Sequence, residues 1–175
     1  TYTIKPIANT FSFNTVEGWN VALNTEFIKR LPNRKRLTVF TNTRYGFSNT
    51  HWNANAGFKY LFNRFSDNTI SVEGGTAVNE LNNTNPVKPL VNMLYTLWAE
   101  RNYLKIYEKQ FLKIAYGREW FNGFNATGEI EYGRRNVLSN TSNYTWKNFK
   151  NRTYTSNNPL SPDYDIKLFT PHHYF

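Results

Sequence analysis

The sequence contains no cysteine and one methionine among its 175 residues. The absence of cysteine excludes a disulfide scaffold, a thiolate nucleophile and a cysteine-ligated zinc or iron–sulfur centre. Acidic residues are also few, 12 against 21 lysines and arginines, so the net charge is +9. A positive charge of this size makes nucleic acid, anionic lipid and acidic glycan the partner classes to consider.

Long apolar runs are missing as well. No run approaches the roughly 18 residues that identify a transmembrane helix, and the mean hydropathy is −0.65. Transmembrane β-strands alternate polar and apolar residues, so a low mean hydropathy leaves a membrane β-barrel open. The N-terminal segment, TYTIKPIANT, has neither the charged region nor the apolar region of a signal peptide.

Aromatic and uncharged polar residues are abundant instead. Aromatics make up 18% of the chain, and the sequence contains 26 asparagines and 19 threonines. The dominant pattern is alternation of apolar and polar residues, which predicts β-strands. Six long strands are predicted, with a break in the first at Gly18 and a seventh strand beginning near 170; their ranges are 11–29, 36–47, 51–62, 69–76, 109–121 and 124–134. Asn122-Gly123 predicts a two-residue hairpin turn.

The alternation assigns each strand residue to one of two faces. The apolar face is predicted to contact lipid and comprises Trp19, Val21, Leu23, Leu37, Val39, Trp52, Phe58, Tyr60, Leu112, Ile114, Ile130 and Tyr132. The charged residues of the polar face are predicted to line a lumen; they are Glu26, Arg44, Lys59, Glu73, Lys113, Glu119, Glu129 and Glu131. Asparagine is frequent on this second face.

Two connections are long. Residues 77–108 are predicted to form a loop that contains a helix at about 89–101, because Leu90, Leu94, Leu97 and Trp98 recur at helical spacing. Residues 136–165 are rich in Asn, Ser and Thr and predict a second long loop. The connections at 31–35, 63–68 and 122–123, at the other ends of the strands, are short. We therefore expect the helix to cap or occlude the long-loop side.

The pattern favours a membrane barrel over a soluble β-sandwich. The strands are long enough to cross hydrocarbon at a tilt, whereas strands of soluble proteins average five to six residues. Aromatics crowd the strand ends, and outer-membrane barrels keep short turns on one side and long loops on the other. The predicted fold is all-β: an antiparallel meander forming part of a transmembrane outer-membrane β-barrel, with one short helix in a long loop. Because the smallest such barrel needs eight strands, residues 1–175 are expected to be a segment of one barrel domain.

No catalytic, cofactor or metal site is predicted. His172 and His173 are adjacent but lack the spacing of a zinc site, and His51 stands alone. Glu129 and Glu131 share one face and are expected to pair with basic residues such as Lys113. A hydrolase that uses these lumen carboxylates is the alternative.

Several segments resemble a known family. They include NTVEG at 14–18, the region from RYGFSNTHW onwards, NPVKPLVNMLYTLWAERNY, and GREWFNGFNATGEIEYGRRN. In order and spacing these resemble an uncharacterised family of Bacteroidota outer-membrane β-barrels that carry an upstream carboxypeptidase-regulatory-like domain. NTVEG is also similar to an element of the surface-antigen (BamA/TamA-like) barrels. The resemblance implies a barrel in the bacterial outer membrane and implies no catalytic residues.

The sequence therefore leads to three functional hypotheses. The first is a non-enzymatic outer-membrane β-barrel protein with a role in envelope transport, assembly or structure. Its expected partners are outer-membrane lipid including lipopolysaccharide, the remaining strands of the same barrel and other outer-membrane proteins of an envelope complex, without a cofactor and without nucleic acid. The second is a soluble β-sandwich that binds a glycan or another ligand. The third is the outer-membrane hydrolase.

Overall fold

A computed structural model of the chain describes residues 2–4, 11–33, 35–63, 68–82, 88–121, 123–157 and 173–174. It contains one helix, α1 (Pro89–Ala99), and nine strands within these residues. The strands are β1 (Tyr2–Ile4), β2 (Phe11–Asn14), β3 (Gly18–Arg30), β4 (Arg36–Gly46), β5 (His51–Asn63), β6 (Asn68–Glu80), β7 (Ile106–Phe121), β8 (Phe124–Val137) and β9 (His173–Tyr174). The described part of the chain has no helix long and apolar enough to cross a membrane.

The strands form one antiparallel sheet in which β3 to β8 follow each other in chain order. Both β1 and β2 pair with β3 at one edge, and β9 pairs with β8 at the other. Among the described residues these two edges do not pair with each other, so the sheet is open. The all-β prediction and the antiparallel meander are confirmed.

The strands extend further than the alternation predicts. Strand β6 continues to Glu80, β7 already begins at Ile106 and β8 ends at Val137, so both predicted loops are shorter at their ends than expected. The predicted break in the first strand is confirmed, because residues 15–17 form a turn between β2 and β3 and Gly18 has a φ of 64°. Asn122, His172, most of 63–68 and the second part of the loop 136–165 lie outside the described residues.

The register of the strand pairs keeps apolar side chains on one face of the sheet and polar side chains on the other across six strands. One apolar row runs through the paired residues Phe27, Val39, Phe58, Val72, Ile114 and Ile130. One position further along, a polar row runs through Glu26, Phe40, Gly57, Glu73, Lys113 and Glu131. Because directly paired residues point to the same face, the alternation of each strand is in phase with that of its neighbours.

Exposure is the reverse of that in a water-soluble sheet. Four of the six residues of the apolar row are exposed, among them Ile130 with 73% of its accessible surface, and Phe27 and Val72 are half-buried. On the opposite face Asn20, Asn53 and Asn55 are buried. The described residues contain no second sheet that covers the apolar row, whereas a β-sandwich would pack one there.

The small hydrophobic core lies at the long-loop end of the strands. Val16, Leu104 and Ile106 form its buried centre, and Val78 and Leu138 pack around them. These residues come from the turn before β3, the segment after α1, the adjoining ends of β6 and β7, and the start of the loop after β8. The core therefore fixes the turns and loops at this end.

Candidate functional site at the long-loop end

The NTVEG turn, residues 14–18, lies at the centre of this end of the molecule. The side-chain oxygen of Asn14 accepts hydrogen bonds from the backbone N–H groups of Val16 at 2.9 Å and Glu17 at 2.8 Å. An asparagine side chain that bonds the backbone two or three residues later stabilises a turn locally. Its Nδ2 donates to Glu17 Oε2 at 2.6 Å. The turn is therefore closed by its own first residue.

Glu17 ties the NTVEG turn to β4. Its carboxylate is 1% exposed and receives two bonds from the Arg44 guanidinium: Nε donates to Oε1 at 2.7 Å, and Nη2 donates to Oε2. The Glu17 carbonyl accepts the Ser48 N–H at 2.8 Å. A bidentate pair fixes geometry as well as charge, and burying a carboxylate is tolerable only with such partners.

Two glycines make this approach possible. A Cβ on Gly46 would lie 2.2 Å from Asn49 Oδ1 and 2.8 Å from Glu17 Cβ. A Cβ on Gly18 would lie 2.7 Å from Ser48 Cβ, and the positive φ of this residue also favours glycine. The turn between β4 and β5 consequently packs directly on the NTVEG turn.

Thr15 connects the NTVEG turn to the loop that follows β8. Its carbonyl accepts the N–H groups of Thr141 at 2.9 Å and Ser142 at 3.0 Å. Its hydroxyl donates to Asn140 Oδ1 at 2.8 Å and accepts from Asn102 Nδ2 at 2.6 Å. Each polar group of this buried threonine therefore has a partner far away in the sequence.

The polar side of helix α1 packs against Asn102, the residue that also bonds the Thr15 hydroxyl. Asn92 and Thr96 are fully buried. The side-chain oxygen of Asn92 accepts the N–H groups of Tyr103 and Leu104, both at 2.9 Å, and its Nδ2 donates to Asn102 Oδ1 at 2.8 Å. The apolar stripe that identifies the helix in the sequence lies mostly on the exposed side, where Trp98 is 62% exposed.

The loop after β8 is anchored by Asn157. Its side-chain oxygen accepts the Ile106 N–H at 2.9 Å, and its Nδ2 donates to the carbonyls of Ile106 at 2.8 Å and Leu138 at 2.6 Å. The Tyr154 hydroxyl donates to the Thr96 carbonyl at 2.7 Å, and its burial raises the pKa of this phenol. Residues 138–157, predicted to be a loop, are thus ordered by polar contacts to α1 and β7.

The structure pairs four of the predicted lumen charges. Arg44 binds Glu17, Lys113 Nζ lies 3.7 Å from Glu129 Oε1, and Lys109 Nζ lies 2.7 Å from Glu131 Oε1. The expectation that Glu129 and Glu131 pair with lysines agrees with this geometry. Lys109, which the face assignment did not include, supplies the closer of these two contacts.

The other four predicted lumen charges are not part of these three ion pairs. Glu73 accepts a hydrogen bond from Asn55 Nδ2 at 3.2 Å, and Glu119 accepts the Gly123 N–H at 2.9 Å. Glu26 and Lys59 lie on the same face, opposite Phe40 and Ser71 of the neighbouring strands. The structure therefore distributes the eight charges along a face and does not gather them into one site.

A cavity of about 250 Å³ opens on the polar face between β3, β4, β5 and β6. Asn24, Asn42, Arg44, Asn53 and Asn55 contribute to its lining. The side-chain oxygens of Asn53 and Asn55 have no hydrogen-bond partner. This part of the polar face can therefore accept further hydrogen bonds from water or from a ligand.

The described residues contain no group of three or more histidine, aspartate or glutamate side chains suited to a metal ion. His51 Nε2 lies 2.7 Å from Glu108 Oε2, so this histidine links β5 to β7. His172 lies outside the described residues.

Sequence reasoning missed the contacts of Asn14, Glu17, Asn92 and Asn157. The NTVEG segment was identified only as part of a resemblance, and the other two asparagines are among 26 in the chain. The available signal was the N-x-x-E-G spacing before a predicted strand, which is suited to a side-chain-closed turn. Glu17 has its partner Arg44 27 residues away and Asn157 has its partner Ile106 51 residues away, and no local pattern identifies such partners.

The whole chain, residues 1–175, matches a family of unknown function (DUF5686), in its C-terminal domain. No curated protein and no solved structure shows significant similarity to the chain.

Proposed function

The chain belongs to the DUF5686 family as its C-terminal domain, and we propose that it forms part of a β-barrel in the bacterial outer membrane. The observation that carries this proposal is the reversed exposure of the sheet. An apolar row six strands wide faces outward while asparagines are buried on the other face. In this proposal the apolar face contacts lipid and the polar face lines a lumen.

The energetics of the apolar face support a lipid contact. Exposed apolar surface costs about 25 cal/mol per Å² in water, and this cost disappears in hydrocarbon. Leu112, Ile114 and Ile130 are each about half exposed or more. Monomeric soluble proteins seldom expose such a contiguous apolar surface.

The dimensions of the strands fit a membrane. Strands β3 to β8 contain 11 to 16 residues, and about 9–11 residues cross the hydrocarbon at a tilt. Aromatic rings also cluster at both ends of the sheet. The ring centres of Tyr45 and Trp52 lie 5.7 Å apart at the long-loop end, and those of Tyr60 and Phe62 lie 6.2 Å apart at the opposite end. Such belts are characteristic of the two membrane interfaces.

The open edges define the first partner. In hydrocarbon each unpaired backbone N–H or carbonyl group costs several kcal/mol, so a membrane sheet has to close. The remaining strands of the same barrel would satisfy both edges. Outer-membrane lipid including lipopolysaccharide would contact the apolar face, and other outer-membrane proteins would complete an envelope complex.

The proposed role is non-enzymatic, in envelope transport, assembly or structure. The carboxylates that a lumen hydrolase would use are engaged in ion pairs with Lys109 and Lys113. In this proposal these pairs balance charges on the polar face.

The experiment is fractionation of the full-length protein with single-cysteine labelling. We expect the protein to partition with the outer membrane and to migrate differently on gels before and after heating. Residues 1–175 contain no cysteine, so a cysteine introduced at Asn143 reports alone once any cysteine elsewhere in the full-length protein has been replaced. It should react with a membrane-impermeant thiol reagent on intact cells, and a cysteine at Asn33 in the turn between β3 and β4 should not.

Two outcomes contradict this proposal. A full-length protein that is monomeric and soluble without detergent would exclude the membrane barrel. Labelling of Asn33→Cys together with protection of Asn143→Cys would reverse the proposed orientation.

A further inference from the structure

A second cavity, of about 700 Å³, lies at the long-loop end between the segment after α1 and residues 151–155. Its charged lining residues are Glu100, Arg101, Lys105 and Arg152. None of them belongs to the polar face of the sheet. The cavity therefore lies outside both the NTVEG turn and the proposed lumen.

Lys105 is a half-buried residue in the lining of this cavity. Its Nζ donates to the carbonyl of Thr155 at 3.0 Å and to the hydroxyl of Thr155 at 2.6 Å. Burial lowers the pKa of this ammonium to about 8. The ion pairs among the described residues do not include Lys105, so no described carboxylate offsets the cost of removing its charge from water.

The two arginines are held at the rim. Arg101 Nη1 donates to the Tyr103 hydroxyl at 3.2 Å, and Arg152 Nη1 donates to the Ala99 carbonyl at 3.3 Å. The Arg152 guanidinium also lies 4.6 Å from the centre of the Phe149 ring. Since a guanidinium has five N–H donors, each arginine is oriented by these contacts and retains donors for a ligand.

Among the described residues that line the cavity, Glu100 is the one carboxylate. Its Oε2 accepts the Phe149 N–H at 3.1 Å, so this carboxylate holds the loop. Three cations thus meet around a cavity with one acid.

We propose that this cavity binds a phosphate group. Arginine forms paired hydrogen bonds with phosphate oxygens, and lysine supplies a compact positive charge. The hydroxyls of Thr153 and Thr155 and the amide of Asn151 line the same cavity and provide neutral donors. The volume exceeds that of a single phosphate, so a sugar or another polar group that carries the phosphate can enter with it. This site does not depend on the membrane proposal, because it follows from the cavity and its charges alone.

The test is calorimetric titration of the purified full-length protein with inorganic phosphate, glucose 1-phosphate and glucose. We expect saturable binding of the two phosphates and no binding of glucose. The double variant Arg101→Gln/Arg152→Gln should weaken phosphate binding by about tenfold or more, the effect of losing one or two charge-assisted bonds. Lys105→Met should weaken it similarly.

The control is Lys35→Gln/Arg36→Gln, which removes the same charge at the opposite end of the sheet and should leave the affinity unchanged. Equal weakening by both double variants would show that the net charge of +9 attracts phosphate without a site. Absence of saturable binding to the wild-type protein would also overturn the proposal.

A further measurement assigns the source of the phosphate. The protein is placed in lipid nanodiscs that contain either phosphatidic acid or phosphatidylcholine, and glucose 1-phosphate is titrated. Weaker binding in the phosphatidic acid discs would show that a lipid phosphate competes for the cavity. Equal binding would assign the site to soluble phosphate esters.

Discussion

The long-loop end and the strand body bury polar groups in opposite ways. At the long-loop end the side chains of Asn14, Glu17 and Asn92 are buried and fully engaged. In the strand body Asn53 and Asn55 are equally buried, yet their side-chain oxygens lack partners. The first arrangement is complete within the chain, whereas the second requires water, a ligand or further protein.

This difference indicates that the long-loop end specifies the geometry of the fold, whereas the strand body determines which surroundings the fold needs. Buried polar groups that are fully satisfied favour one geometry, because any other would leave them unpaired. The strand body has no comparable requirement, and in the proposed barrel its apolar row would lie against lipid. The predictions below test each region against the other.

The largest expected effect is at Glu17. Glu17→Ala leaves the Arg44 guanidinium without its carboxylate partner, and breaking a buried pair in this way costs about 3–5 kcal/mol. We expect the free energy of unfolding, measured by denaturant titration in detergent, to fall by this amount. The matched control is Glu129→Ala, which removes the more exposed partner of Lys113 and should cost at most about 1 kcal/mol. Similar losses in both variants would mean that the long-loop end is no more constrained than the strands.

The next effect distinguishes the two faces of the strand body. Val39 lies in the apolar row, and Val39→Arg near the membrane midplane should cost about 2–4 kcal/mol. Asn42 lies on the opposite face and lines the 250 Å³ cavity, so Asn42→Arg should be tolerated. Folding yield into lipid vesicles measures both variants. Equal yields would show that the apolar face does not contact lipid.

A smaller effect is expected at Asn157. Asn157→Ala leaves the buried N–H and carbonyl groups of Ile106 without their side-chain partner, at a cost of about 1–3 kcal/mol. We expect faster amide hydrogen exchange in residues 138–157 and unchanged exchange in β4 and β5. Asn143→Ala, an exposed change in the same loop, should leave exchange as in the wild type. Faster exchange throughout the sheet would show that the loop and the strands unfold as one unit.

The smallest effect concerns pH. Lys105 has a pKa of about 8 in the folded protein, below its usual value, so the unfolded chain binds more protons between about pH 8 and 10.5. Stability should therefore rise with pH in that window, and below pH 8 this contribution is constant. Because Lys105 is only partly buried, solvent screening should keep the gain below about 1 kcal/mol. Unfolding midpoints at pH 7.5 and 9.5 measure it, and Lys105→Met should remove this part of the difference.

The strand body was largely predictable from the sequence, because alternation is a local signal. The break at Gly18, the order of the strands and the helix near Pro89 all follow from residues close together in the chain. The three-residue strand β1 and the extension of β6 to Glu80 were not predicted, since neither shows a clear alternation. The helical periodicity also identified α1 but not its buried side.

The long-loop end was not predictable for a physical reason. Asn92 is buried because the N–H groups of Tyr103 and Leu104 need an acceptor after the helix ends. Thr15 is buried because residues 140–142, which follow β8 at the other edge of the sheet, pack against it. These requirements for a hydrogen-bond partner arise only after the chain has folded. Polar residues in loops show no periodicity from which such contacts could be predicted.

The separation of the NTVEG turn from its partners has a consequence for the order of folding. Except for β6 and β7, which are joined by the long connection that contains α1, neighbouring strands from β3 to β8 are separated by short turns, so their pairing carries little entropic penalty. Thr15 reaches Asn140 only across 125 residues, so this contact cannot form until nearly all strands have paired. We expect pulse-labelling hydrogen exchange to show β4 to β8 protected before Thr141 and Ser142. Docking of residues 140–142 onto the NTVEG turn would then be the last step of assembly, and earlier protection of these two amides would contradict that order.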